Sequence, residues 1–276
     1  MDIVNRLETL EQAALEDAEK KKQQSQKVKY HFDKLAMYFD KDYFVKDICI
    51  KMPTIGDILK FGESRFYNTF SPFITNSTSI RVQLWDMEPR VDWTKVKDIQ
   101  VFDMLHLNLL DEEVVHSVFP DITFSDFQLM GLKDDPEKLV LYSSSQQIIL
   151  TEPEYMEIAT YIRTVLNRFP KVEKAKGKTT KQWMIQEDRM KMLNSSKEND
   201  EENSSYLLSL VSSCLNHPGF KYKLEDLENM GIYRFMDSVK RIQKYEHSTA
   251  VLKGMYSGFV DGSKINPEQY NFMGDV

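Results

Sequence analysis

Apolar residues in this chain recur mostly at helical intervals, and the clearest run starts at Thr151. Tyr155, Ile158, Ala159, Ile162, Val165, Leu166 and Phe169 fall on one helical face. Thr151 caps that helix, Glu154 completes the capping box, Pro153 sits in the first turn and Pro170 stops it. Thr54 and Asp57 have the same capping spacing, ahead of a second helical series of Ile55, Ile58, Leu59, Phe66 and Phe70. Period-two stretches are fewer. "DYFVKDICIKM" alternates well enough to predict a strand, and residues 122–150 predict a small antiparallel meander. Its segments are "ITFSDFQLMGL", "KLVLYSS" and "QIILT", with "KDDPE" as the first turn. Pro89 breaks the stretch between Trp85 and Trp93, and both indoles are expected to pack in the core.

The ends of the chain read differently. Val4, Leu7, Leu10 and Leu15 make a thin apolar stripe in a charged segment, predicting an N-terminal helix or arm over residues 1–28. Residues 29–170 then form an α+β domain. A charged linker at 171–203 carries a short helix at Lys181–Leu193, and Asn194–Asn203 has the composition of a disordered tether. Beyond it, residues 204–276 predict a separate small helical bundle. Tyr206, Leu207, Leu210, Val211 and Cys214 form one helix, ended by His217-Pro218-Gly219. Ile232, Phe235, Met236, Val239 and Ile242 form a second, and "STAVLKGMYSGFV" a third. Asn266 and Pro267 predict one last helical turn. The expected class is α+β, predominantly helical. Removing residues 204–276 is expected to leave the rest folded.

Composition narrows the chemistry. The net charge of −7 opposes a protein whose main task is gripping nucleic acid. The N-terminus has no apolar core of signal-peptide type, and no apolar run is long enough to span a bilayer, so a cytoplasmic protein without membrane attachment is expected. Cys49 and Cys214 fit a reducing compartment. Gly177-Lys178-Thr179 imitates the end of a phosphate-binding loop, but Val172 stands where the loop's first glycine belongs. The basic run Lys171–Lys181 beside Trp183 is read as a solvated face, opposed by acids from Glu187 onward. His31, His106, His116, His217 and His247 share no metal-ligand spacing, and Cys214, though close to His217, is expected to be a buried structural thiol. No catalytic residue, metal site or cofactor is therefore expected, and the chain reads as a non-enzyme acting through apolar helical surfaces.

Several phrases resemble proteins encoded in the tail-gene modules of phages of Gram-positive bacteria. They are "PTIGDILKFGESRFY", "VQLWDM…VDWTKVKDIQVF", "KTTKQWMIQEDRMK", "YRFMDSVKRIQK" and "YSGFVDGSKINPEQYNFM". The resemblance implies a tail assembly chaperone that works in the host cytoplasm. It would bind helical phage polypeptides such as the tape-measure protein, or other tail proteins, with self-association left open. The alternative it implies is a structural virion component, a connector or tail-completion protein. On either reading the expected contact residues are Phe220, Tyr222, Met230, Phe235, Met236, Tyr256 and Phe259, because aromatic and methionine side chains grip varied apolar partners.

Overall fold

A computed structural model describes residues 30–132, 135–198 and 205–275, with only the backbone described for Pro136, Glu137 and residues 195–198. The helix expected over residues 1–28 lies outside the described residues, as do the turn residues 133–134 and most of the acidic end of the linker. The chain divides at Phe32 into two units. Of the first, only Tyr30, His31 and Phe32 are described, and the Tyr30 and Phe32 rings stack 6.5 Å apart. The second unit is Asp33–Val276, and it holds every element named below.

This unit is an α+β fold, mainly helical, with two small antiparallel sheets. Helix α1 (Lys34–Tyr38) is capped by Asp33, whose carboxylate accepts from the Leu35 and Ala36 amides. The stretch expected to be one strand is a hairpin, β1 (Tyr43–Val45) and β2 (Ile48–Ile50). The reason is local: Lys46 adopts a φ of 52°, so the chain reverses inside the alternating run. Helices α2 (Ile55–Phe61) and α3 (Glu63–Ile74) come next, separated at Gly62, whose φ of 85° suits glycine. The Thr54–Asp57 capping box is formed, with Thr54 N donating to Asp57 Oδ2 at 2.8 Å. Helix α4 (Arg81–Asp86), a 3₁₀ turn at Trp93–Lys95, α5 (Asp98–Leu109) and α6 (Glu112–Val118) lead to the meander.

Strands β3 (Phe127–Leu132), β4 (Asp135–Ser143) and β5 (Ile148–Thr151) pair in chain order, and a register shift falls at Gly131/Leu132. Helix α7 (Glu152–Val165) then begins on the Thr151–Glu154 box, as its spacing predicts. Its Tyr155, Ile158, Ala159, Ile162, Val165 and Leu166 are buried, whereas Phe169, past the helix end, is exposed.

Aromatic rings converge at the centre. Phe73 lies 4.9 Å from Phe102, 5.2 Å from Phe124, 5.6 Å from Phe119 and 6.5 Å from Tyr155, centroid to centroid. These rings come from α3, α5, the segment after α6, and α7, so one cluster joins four parts of the chain. Burial pushes the Tyr155 phenol above its ordinary value. Beside the cluster, buried Arg163 donates to the carbonyls of Phe73 (2.9 Å) and Thr75 (3.2 Å) and to Asp98 Oδ2 (2.8 Å). Those bonds satisfy helix-end carbonyls that would otherwise stay unpaired.

The linker region departs from its expected form. Helix α8 (Lys178–Glu198) is longer than the helix anticipated there, and Ile185 is buried with Val82, Leu84, Trp93 and Ala175. Arg81, with only 5% of its side chain exposed, fixes the contact. Its Nε and Nη2 fork onto Asp188 at 2.5 and 2.7 Å, its Nη1 donates to Glu173, and it lies over the Trp93 ring. Trp93 is buried as expected, while Trp85 is half-buried at the edge of this cluster.

Carboxylates held by such pairs contribute stability that is lost in acid. The Lys181 ammonium beside Asp92 holds its carboxyl below the ordinary carboxylate value, and Arg65 does the same for Asp111. A lowered folded pKa means that the stabilisation is complete above about pH 3.9, the unfolded value, and is lost as the pH falls through the folded value. Asp40 runs the other way, raised by burial against the opposing pull of Arg234. Thermal melts in Asp92→Asn should therefore depend less on pH than wild type below about pH 4, with the two converging at the acid end. An unchanged slope would show that this pair has no part in the acid transition.

Candidate partner-binding surface

The C-terminal segment contains helices α9 (Tyr206–Leu215), α10 (Leu224–Leu227) and α11 (Ile232–Tyr256). The two last helices expected in the bundle are one 25-residue helix, because nothing between Tyr245 and Val251 breaks the helical pattern. The segment is stitched to the front of the unit by backbone bonds. Ile55 N donates to Met230 O (3.1 Å), Gly56 N to Glu228 O (2.9 Å) and Ile232 N to Pro53 O (2.9 Å). Gly56 is required there, since a Cβ would stand 2.6 Å from the Glu228 carbonyl oxygen. Asp40 pairs with Arg234 at 2.6 Å, and Glu63 accepts from Ser205 and from Leu207 N.

This seam sorts the expected contact residues. Met230, Phe235 and Met236 are buried beneath it, together with Leu227 and Ile232, so in this conformation they hold the fold and offer no surface. Phe220 and Tyr222 are half-buried, and their rings meet edge to face at 5.5 Å. Tyr256 and Phe259 lie open, at 86% and 91% exposure. The seven residues thus form no single patch.

Helix α11 explains the split. Its apolar stripe starts buried at Ile232, Phe235 and Met236, is half-covered at Val239 and Ile242, and emerges at Tyr245. The helix walks off the core. Gly258, at a φ of 76°, turns the chain after it, and Asn266 caps the turn Pro267–Gln269. The tail returns along the helix. Arg241 Nη1 donates to Gly274 O (2.7 Å) and Phe272 O (3.3 Å), Lys244 donates to Asp275 O (2.5 Å), and the Ser248 hydroxyl donates to Gln269 O.

Between this tail, α11 and the 217–221 turn lies a mostly apolar groove of about 580 Å³. Tyr245 and Phe272 meet edge to face at 5.7 Å on its wall. His217 stands at the mouth. Its Nδ1 accepts from Gly219 N (3.0 Å), which leaves Nε2 to donate to Glu246 (3.1 Å). Tyr245, Phe272 and Met273 (76% exposed) are absent from the expected contact set. Tyr245 is legible as the next turn of the apolar stripe, three residues beyond Ile242. Phe272 and Met273 depend on the fold-back of the tail, for which the periodicity carries no signal.

Chemistry elsewhere is sparse. Among the described residues no three His, Cys, Asp or Glu side chains are placed to hold a metal ion, and no helix is long and apolar enough to cross a membrane. Burial pushes both the Cys49 and Cys214 thiols up, away from the reactive thiolate.

Comparison with known proteins gives a family match at this end. Residues 197–274 are similar to the family described as "YomV second domain", which indicates a phage-associated protein family. The match runs from the last residues of α8 to the folded-back tail, covering under a third of the chain. No curated protein and no solved structure matches the chain.

Proposed function

We propose that this protein is a non-enzymatic assembly factor of phage tails. It binds an apolar helical polypeptide, such as the tape-measure protein, in the host cytoplasm and keeps it soluble until tail subunits enclose it. The observation that carries this reading is the set of open apolar side chains Tyr256, Phe259 and Met273, on the segment similar to a phage-associated family. Apolar side chains exposed to this degree add nothing to the stability of a free monomer but contribute strongly once covered. The groove walled by Tyr245 and Phe272 has the apolar lining that a helix-in-groove contact uses.

The test is co-expression with the tape-measure protein, comparing wild type with a Tyr256→Ser, Phe259→Ser, Met273→Ser variant. Recovery of the partner should drop about tenfold or more, equivalent to the loss of one good anchor. The melting temperature should stay within a degree or two, because these side chains bury little. Equal recovery would reject the surface. Stoichiometric amounts of the chain in purified particles would instead favour the structural virion reading.

A further inference from the structure

A second cavity, of about 400 Å³, lies where α8 begins beside the loop after α4, and it is lined by Trp85, Arg90, Asp92, Lys176, Lys178 and Lys181. Four cations thus converge from two segments some 90 residues apart in sequence. One is spent: Lys181 is held by Asp92 at 2.7 and 2.9 Å and by the Thr94 hydroxyl at 2.9 Å. Lys176 and Lys178 are exposed and have no ion-pair partner among the described residues. Arg90 lies over the Trp85 ring, 4.5 Å from its centroid, and is oriented by a 3.2 Å bond from its Nε to Trp85 O. A guanidinium plane on an indole is a flat cationic platform on which an aromatic base can stack.

The sequence alone argues against such a site, because acids flank the basic run. In the fold those acids are occupied. Glu173 and Asp188 are taken by Arg81, Glu187 by Lys191, Asp86 by Arg189 and Asp92 by Lys181. Glu88 is the remaining carboxylate of the stretch before Arg90. The cavity therefore keeps a local positive field on a chain whose total charge is −7. The cluster is also fixed in place, since the Arg81 fork and the Ile185 contact lock α8 against α4.

We infer that this cavity binds a nucleotide unit, free or within a single strand, with its phosphate on Lys176 and Lys178 and its base against the Arg90–Trp85 platform. A nucleotide supplies both the anion and the planar ring that this site matches, whereas an acidic peptide supplies only the charge. The function goes beyond holding a polypeptide and does not depend on it.

Full-length protein would be titrated into a fluorescently labelled deoxythymidine strand about ten nucleotides long, reading polarisation at low salt and across a salt series. Deoxythymidine monophosphate and a polyglutamate peptide would serve as competitors. Salt-dependent binding is expected. Lys176→Glu with Lys178→Glu should weaken it by tenfold or more and flatten the salt dependence by about two ions. Arg90→Ala should weaken strand binding about tenfold, the loss of one stacking contact. Circular dichroism of these surface variants should be unchanged. Displacement by the monophosphate at strand-like concentrations would assign a free nucleotide, and preference for the strand would assign single-stranded nucleic acid. No binding at low salt, binding indifferent to the lysine pair, or polyglutamate competing as well as the strand would overturn the assignment.

Discussion

Phe73→Ala should cost about 3–5 kcal/mol of folding stability, the range for removing a buried aromatic ring whose surroundings cannot collapse. Phe73 is fully buried and touches rings from α3, α5, α7 and the segment after α6. The vacated space is bounded by side chains already fixed by one another, and the backbone carbonyl of Phe73 is tied to Arg163. Neither wall is free to move in. Urea unfolding would report the change as a lower midpoint at constant slope. A loss below about 1 kcal/mol would mean that the aromatic cluster repacks freely, contrary to the close packing expected of a core.

Arg81→Ala is expected to cost toward the lower end of roughly 3–5 kcal/mol, the range for breaking a buried ion pair from one side. The lower end applies because Asp188 and Glu173 retain 21% and 40% exposure and recover some hydration. The loss has a local signature too. Without the guanidinium, α8 keeps its Ile185 and Met184 contacts and its remaining ion pairs, so amide exchange should accelerate along Lys178–Asp188 before it does in α7. If the helix stayed as protected as α7, the fork would not be what docks it. The same variant should weaken nucleotide binding indirectly, since Lys176 and Lys178 are positioned by this contact.

The placement of the C-terminal segment changes what a deletion would show. The sequence pattern predicts that stripping residues 204–276 spares the rest. In the fold, that deletion would uncover Met52, which packs at Gly231, and leave the Ile55 and Gly56 amides without their partners on Met230 and Glu228. Substitutions on the exposed end of α11 separate binding from folding more cleanly. The candidate surface itself is half legible in the sequence. Tyr256 and Phe259 are expected contacts and are open, whereas Met230, Phe235 and Met236 share their chemistry and are buried. Composition marks a side chain as able to stick to an apolar surface; it does not say whether that surface belongs to the same molecule.

What the sequence determined by itself is what short-range physics controls. The capping boxes at Thr54 and Thr151, the meander between residues 122 and 150 and the cap at Asn266 each depend on residues a few positions apart, whereas the helix expected to run on to Pro170 ends at Val165, ahead of Asn167 at a φ of 51°. What only the tertiary structure decided rests on pairs far apart along the chain. Arg81 meets Asp188, Arg90 and Trp85 line one cavity with Lys178, and Gly56 meets Glu228 across distances that no periodicity encodes. A lysine-rich run stands alone in the sequence, and only the fold brings Arg90 and Trp85 to its side. An amphipathic helix looks uniform until the core beneath it ends.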